Sequence, residues 1–336
     1  MIVEFYLVDA FEIFHFLPLY EQLNKMGIET RYVAERNEIN VSGDWFDFEE
    51  AVKIFNKLNI TYKEYAYHEA DYAITTQDAI NLNKYVSAKK ISYPYGLSLC
   101  KNYYMHSDNK VNGFDYLFVH GNFSKKLMSK KIDERHIEII GFPKHYNMIN
   151  VTDAYKQQLR KEFHIHTSKP VLVYFPTWDA DSSVQKFADE IETLKDEYCI
   201  VIKTHHCTYR LPSLRKELEK LKEIGDVILP GNYSFEKAAS VADVMLIDGK
   251  SGSSMEAAYI NPQAKIVLLS PQEDIQSYYY PEVFDLYDII NQPEKLAEIM
   301  QQEDVKRNKR NECIENFLGK KQHDYLSDVI PRVFES

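Results

Sequence analysis

Five short apolar runs in the second half of the chain, each separated from the next by enough residues for a helix, limit the fold more than any other feature. They are VLVYF (171–175), CIVIKT (199–204), DVILP (226–230), DVMLID (243–248) and KIVLLS (265–270). Continuous apolar runs suit strands covered on both faces of a parallel sheet. Alternating strand and helix patterns imply right-handed crossovers in such a sheet. The first half follows the same plan less regularly. An apolar run over 2–8 precedes Ile13, Phe16, Leu17, Tyr20 and Leu23, which recur at helical spacing over 12–26. Gly27 stands where a glycine would end that helix. Residues 30–34, 72–75, 90–93, 116–120 and 137–140 read as further strands, and 46–58 as a helix.

The 336 residues predict about two domains, each large enough for its own core. We expect an α/β protein with Rossmann-like domains over 1–150 and 151–305, and two amphipathic helices (about 305–318 and 322–334) in the closing segment 306–336. Ligands of open α/β sheets bind beyond the carboxyl ends of the strands, so the residues just after the strands carry the functional reading.

Charge and cysteine usage narrow the class. Lys and Arg number 40 against 51 Asp and Glu, a net charge of −11. That argues against a general nucleic-acid binder, which needs a basic surface to displace counterions. Cys100, Cys199, Cys207 and Cys313 form no C-x-x-C pair, so reduced thiols are expected rather than disulfides or a zinc ribbon. The N-terminal stretch carries Glu4, Asp9 and Glu12, and its first lysine is Lys25, a poor match to a signal peptide. No apolar run reaches membrane-spanning length. A cytoplasmic protein is expected. Lys125, Lys126, Lys130 and Lys131, with Phe123, Leu127 and Met128, form either a solvated basic face or a peripheral contact with the inner face of the cytoplasmic membrane.

Three strand tips in the second half hold reactive residue types. Pro176 ends the first strand, and Thr177 and Trp178 follow it; the alternative reading is a packed loop. Lys203 and His205 follow the second strand, offering a point charge and a proton donor to an anion, or else a solvated loop. Asp248, Ser251, Ser253, Ser254 and Glu256 follow DVMLI and open a helix. Small residues there admit a phosphate to the free N–H groups of the helix start, and Glu256 suits ribose hydroxyls. An ordinary Ser-capped helix with a capping-box glutamate is the alternative.

The order P-T-W, K-x-H and D-x-x-S-x-S-S-x-E resembles the CDP-glycerol glycerophosphotransferases, which build teichoic-acid and related capsular polymers in cell-envelope biogenesis. Gly141-Phe142-Pro143-Lys144 resembles their G-x-P-R joint. The likeness spans about residues 70–290. It implies a GT-B fold, with two Rossmann-like domains facing across a cleft. It implies an activity-bearing histidine at His205, and donor contacts from Ser251, Ser253 and Ser254 with Asp248 before them. The family's W-H-G-T-P-L-K stretch, whose histidine is the proposed base, is matched by residues 93–101. There Gly96 and Lys101 keep the acceptor side, but Tyr95 replaces the histidine. A tyrosine of ordinary pKa is a poor base at neutral pH. His120 and His15 are the replacements considered.

The resulting expectation is a metal-independent transferase without a cofactor. It takes a CDP- or other nucleotide-linked donor and passes polyol phosphate to a hydroxyl of a lipid-linked or growing glycan. Asp179-Ala180-Asp181 has metal-site spacing but reads as a solvated loop. The S-G-x-x-x-E-A string is shared with nucleotide-sugar GT-B glycosyltransferases. A UDP-, GDP- or CMP-sugar transferase, a UDP-sugar 2-epimerase-like enzyme and a non-catalytic scaffold therefore stay open.

Overall fold

Residues 171–175, 244–248 and 265–269 are buried at every position, and apart from Asp248 and Lys265 at their ends they are apolar throughout, as central parallel strands require. The computed structural model describes the chain except for residues 36–47, 67–68, 77–78, 98–110, 147, 149, 322 and 335–336. The chain divides into two compact units. The first comprises residues 1–95, 104–147 and 315–336, and the second residues 96–103 and 148–314.

The first unit holds a seven-stranded sheet of β1 (Ile2–Tyr6), β2 (Glu29–Val33), β3 (Tyr62–Lys63), β4 (Tyr72–Thr75), β5 (Lys89–Ser92), β6 (Tyr116–Val119) and β7 (Ile137–Ile139). Their order is β3-β2-β1-β4-β5-β6-β7, and the paired strands are parallel. The helix Glu12–Lys25 buries Ile13, Phe16, Leu19 and Leu23 on one face, and Gly27 leaves it with φ 77°. The last helix, Tyr325–Phe334, packs Leu326, Val329, Ile330, Val333 and Phe334 into the same core. The Tyr72 hydroxyl donates to the Val333 carbonyl at 2.7 Å. Burying five such side chains contributes roughly 1.5–3 kcal/mol each.

The second unit holds β8 (Val171–Phe175), β9 (Cys199–Lys203), β10 (Val227–Leu229), β11 (Val244–Asp248), β12 (Lys265–Leu269) and β13 (Asp288–Ile290). Their order is β10-β9-β8-β11-β12-β13, again parallel throughout. Counted within the unit this is 3-2-1-4-5-6, the doubly wound order. The direction of winding reverses between β8 and β11, where such folds bind ligands. The first unit reverses likewise between β1 and β4. Both units are thus the Rossmann-like α/β layers expected. β3 and β13 escape the sequence patterns because two or three residues carry no readable period.

Among the described residues no helix is long and apolar enough to cross a membrane. The basic segment forms the short helix Asn122–Met128. Its Met128 is buried, and Phe123 packs on Phe317 with ring centroids 4.6 Å apart. Its apolar residues therefore face the protein, while Lys126, Lys130 and Lys131 remain exposed.

Candidate active site

At the reversal point of the second sheet, the tips of β8 and β11 are joined by one carboxylate. Asp248 is fully buried. Its Oδ2 accepts the Thr177 N–H at 2.7 Å and the Ser183 N–H at 3.1 Å. Its Oδ1 accepts the Ser183 hydroxyl. Burial raises its pKa to about 7, against the lowering effect of those hydrogen bonds. Asp248 was expected to touch the donor. Both of its oxygens are engaged by the chain itself, at the start of the loop carrying Thr177 and Trp178.

The helix Ser253–Ile260 starts just beyond, with Gly252 as its cap and no side-chain bond from it. Ser251 supplies the missing oxygen. Its Oγ accepts the Ser253 N–H at 3.2 Å and lies 2.9 Å from the Ser253 hydroxyl. Ser251, Ser253 and Glu256 keep part of their surface in solvent. Ser254 does not. It is fully buried, and its hydroxyl turns back to the Ser251 carbonyl at 3.4 Å. Successive helix residues point about 100° apart, so Ser254, expected to contact the donor, points into the unit where Ser253 meets solvent. A Cβ on Gly252 would lie 3.2 Å from the Leu97 nitrogen. Gly96, expected on the acceptor side, therefore packs with Leu97 at the start of this helix, within the second unit. Lys101 lies outside the described residues.

The β9 tip forms the other wall. His205 caps the short helix His206–Arg210, its Nδ1 accepting the Cys207 N–H at 3.2 Å. The proton of a neutral ring then sits on Nε2. Dense surroundings, with His206, Lys203 and Arg210 nearby, push the His205 pKa well below its ordinary value, so the ring is neutral near pH 7. Trp178 stacks on it at 5.9 Å and 22°. Thus Trp178 and His205, from different strand tips, share one face. Lys203 donates to the carbonyls of Gly231 at 2.7 Å and Thr204 at 3.1 Å, so it fastens the loop after β10.

Gly231 was not singled out in the sequence. A Cβ there would lie 2.4 Å from the His206 Cα and 2.8 Å from its nitrogen. Those are backbone atoms, so the segment holding His205 must shift to admit one. Gly231→Ala is expected to lower turnover about tenfold or more, with a stability loss of about 1–3 kcal/mol. Steady-state kinetics beside a thermal melt check this; unchanged kcat would refute it.

Asp181 is bonded to Lys250 and accepts the Tyr278 hydroxyl at 3.3 Å, so the Asp179-Ala180-Asp181 segment is tied across to the loop before the helix. His205, His206 and Cys207 place one ligand atom each within 4.8 Å of one another, a set able to hold a metal ion.

In the first unit, His120 is buried with Nδ1 2.7 Å from the Gly141 carbonyl and its ring against Phe142 at 4.7 Å. His120, a candidate base, is thus enclosed by the segment 141–142. Tyr95 is half-buried and meets Phe11 at 5.5 Å and His15 at 6.2 Å.

Residues 28–249 match the profile of CDP-Glycerol:Poly(glycerophosphate) glycerophosphotransferase. The chain belongs to this family. It is accordingly a glycerophosphotransferase-type enzyme, moving polyol phosphate from CDP-glycerol. A comparison with curated proteins returns no match. Among solved structures the chain is similar to the wall teichoic acid polymerase TagF, with a TM-score of 0.63 at 16% identity, covering 100% of this chain and 88% of that one. It is also similar to UDP-GlcNAc 2-epimerase from Neisseria meningitidis (TM-score 0.59, 12% identity, all of both chains). A glycosyltransferase from Rickettsia africae gives 0.60 at 11% identity, over 99% of this chain and 98% of that one. At these identities the three report the fold, which is GT-B-like.

Proposed function

We propose that the second unit of this glycerophosphotransferase binds CDP-glycerol at the tips of β8, β9 and β11. The first unit receives a hydroxyl of a lipid-linked or growing glycan. The observation that carries this is the start of the helix Ser253–Ile260 at the reversal point, where Ser251 and Ser253 stay accessible beside backbone N–H groups. Such a start favours phosphate through the helix dipole and the backbone N–H groups that follow the one Ser251 caps. A variant of TagF has been soaked with CDPG, in keeping with the same donor here.

In the reaction, the acceptor oxygen attacks the phosphorus bearing glycerol. The bond from that phosphorus to the bridging oxygen breaks, and CMP leaves with the electron pair. The acceptor proton passes to a base. Charge grows on the departing phosphate, and the His205 Nε2–H is the hydrogen-bond donor placed to meet it. Trp178 and Thr177 flank the nucleotide, and Glu256 suits the ribose hydroxyls. No cofactor and no metal enters this scheme. The exposed lysines near Lys126 supply a peripheral electrostatic contact with an anionic membrane.

Calorimetry with CDP-glycerol, CMP, UDP-GlcNAc and GDP-mannose, each with and without EDTA, tests the reading. Selective binding of CDP-glycerol and CMP is expected, unaffected by EDTA and weakened about tenfold or more by Ser253→Ala. Preference for UDP or GDP ligands would favour a sugar-nucleotide enzyme instead, and EDTA-sensitive binding would overturn metal independence.

A further inference from the structure

The first unit repeats the Asp248 arrangement, group for group, around a residue that no motif marks. Glu12 is fully buried at the start of the helix Glu12–Lys25. Its Oε2 accepts the N–H groups of Val8 at 2.6 Å and Asp9 at 3.1 Å. Its Oε1 accepts the Thr76 hydroxyl. In each unit, then, one carboxylate oxygen takes two backbone N–H groups and the other takes one hydroxyl. Each also lies where the first and fourth strands part. Asp248 ends the fourth strand and reaches the loop after the first; Glu12 follows the first strand and reaches the residue after the fourth. Burial raises both carboxyls to about 7.

The segment that Glu12 ties down leads to Phe11 and, one helical turn on, His15. Phe11 meets His15 at 5.8 Å and Tyr95 at 5.5 Å, and His15 meets Tyr95 at 6.2 Å. Tyr95 holds the place where the family resemblance puts the acceptor-side base. We propose that Glu12 is a positioning residue for the acceptor. It fastens the loop after β1 to the tip of β4, and so holds Phe11 and His15 against Tyr95, where the acceptor hydroxyl is received. This rests on the first unit being the acceptor side, as proposed above.

The test compares Glu12→Ala with Glu12→Gln in the full chain. A glutamine can keep every bond, its oxygen taking both N–H groups and its NH2 donating to Thr76. Kinetics with CDP-glycerol and a soluble glycerol phosphate oligomer give the acceptor kcat/KM. Calorimetry gives the CDP-glycerol Kd, and hydrogen exchange follows the Val8 and Asp9 amides. Glu12→Ala is expected to cut acceptor kcat/KM about 30-fold, speed exchange at both amides, and leave the CDP-glycerol Kd within about twofold. Glu12→Gln should stay within about threefold of the parent on every readout. A glutamine variant as impaired as alanine would overturn the proposal, because charge rather than position would then matter. So would an equal loss of CDP-glycerol affinity in Glu12→Ala. If the alanine variant does not fold, Thr76→Val removes one of the three bonds and should show the same acceptor-selective loss; no such loss refutes it. A parent protein that does not bind CDP-glycerol would sink the donor reading, while the exchange comparison would still decide whether Glu12 fastens the loop.

Discussion

His205→Ala is expected to lower kcat by about 10²–10⁴ while the fold survives. The residue caps only the five-residue helix His206–Arg210, so little of the core depends on it. Its catalytic use follows from the tautomer. Nδ1 accepts the Cys207 N–H, which leaves Nε2–H as the donor to a departing phosphate oxygen. Burial first, and then neighbouring cations, hold the ring neutral near pH 7. Because that pKa is depressed, protonation comes only at more acid pH. The pH–rate profile should therefore show no His205 limb near 6.5. His205→Gln retains an N–H donor and should keep more turnover than alanine. A limb near 6.5 that vanishes in His205→Gln would show that the ring titrates in the working range and would overturn the neutral-donor role.

The second large effect concerns Asp248 and has a counterintuitive sign. Burial pushes its folded pKa up to about 7, above the ordinary carboxyl value of 3.8. A carboxyl raised on folding contributes stability that is fully present below about pH 4. That contribution is lost as pH rises through about 7. The loss is on the order of 4 kcal/mol. Asp248→Asn keeps an acceptor for the Thr177 and Ser183 N–H groups and removes the titration. In urea titrations it should be more stable than the parent at pH 8, and the difference should shrink towards pH 5. Asp248→Ala leaves two buried N–H groups and a hydroxyl without their acceptor, at a cost of about 1–3 kcal/mol for each. It should be the less stable variant at both pH values. An asparagine variant less stable than the parent at pH 8 would refute the assignment.

Both effects arise at strand tips that the linear sequence already marked. The apolar runs ending at Phe175, Lys203 and Asp248 name their own tips, since a strand covered on both faces shows as an unbroken apolar string. The doubly wound plan, the helix start after β11 and the family were legible for the same reason: each rests on spacing along the chain. Side-chain direction was not. Ser253 and Ser254 are neighbours in sequence, yet one keeps solvent contact and the other is fully buried. The partners that engage the oxygens of Asp248, Thr177 and Ser183, lie 71 and 65 residues away, beyond the reach of any local pattern. Gly231 carries no pattern, and its importance is the absence of a Cβ against the His206 backbone. Glu12 could not be read at all without knowing that β1 and β4 are adjacent. Local periodicity and composition determined the layers and the places where chemistry sits. Which groups face a ligand and which hold the loops in place depended on contacts between distant segments, and those exist only once the sheets have assembled.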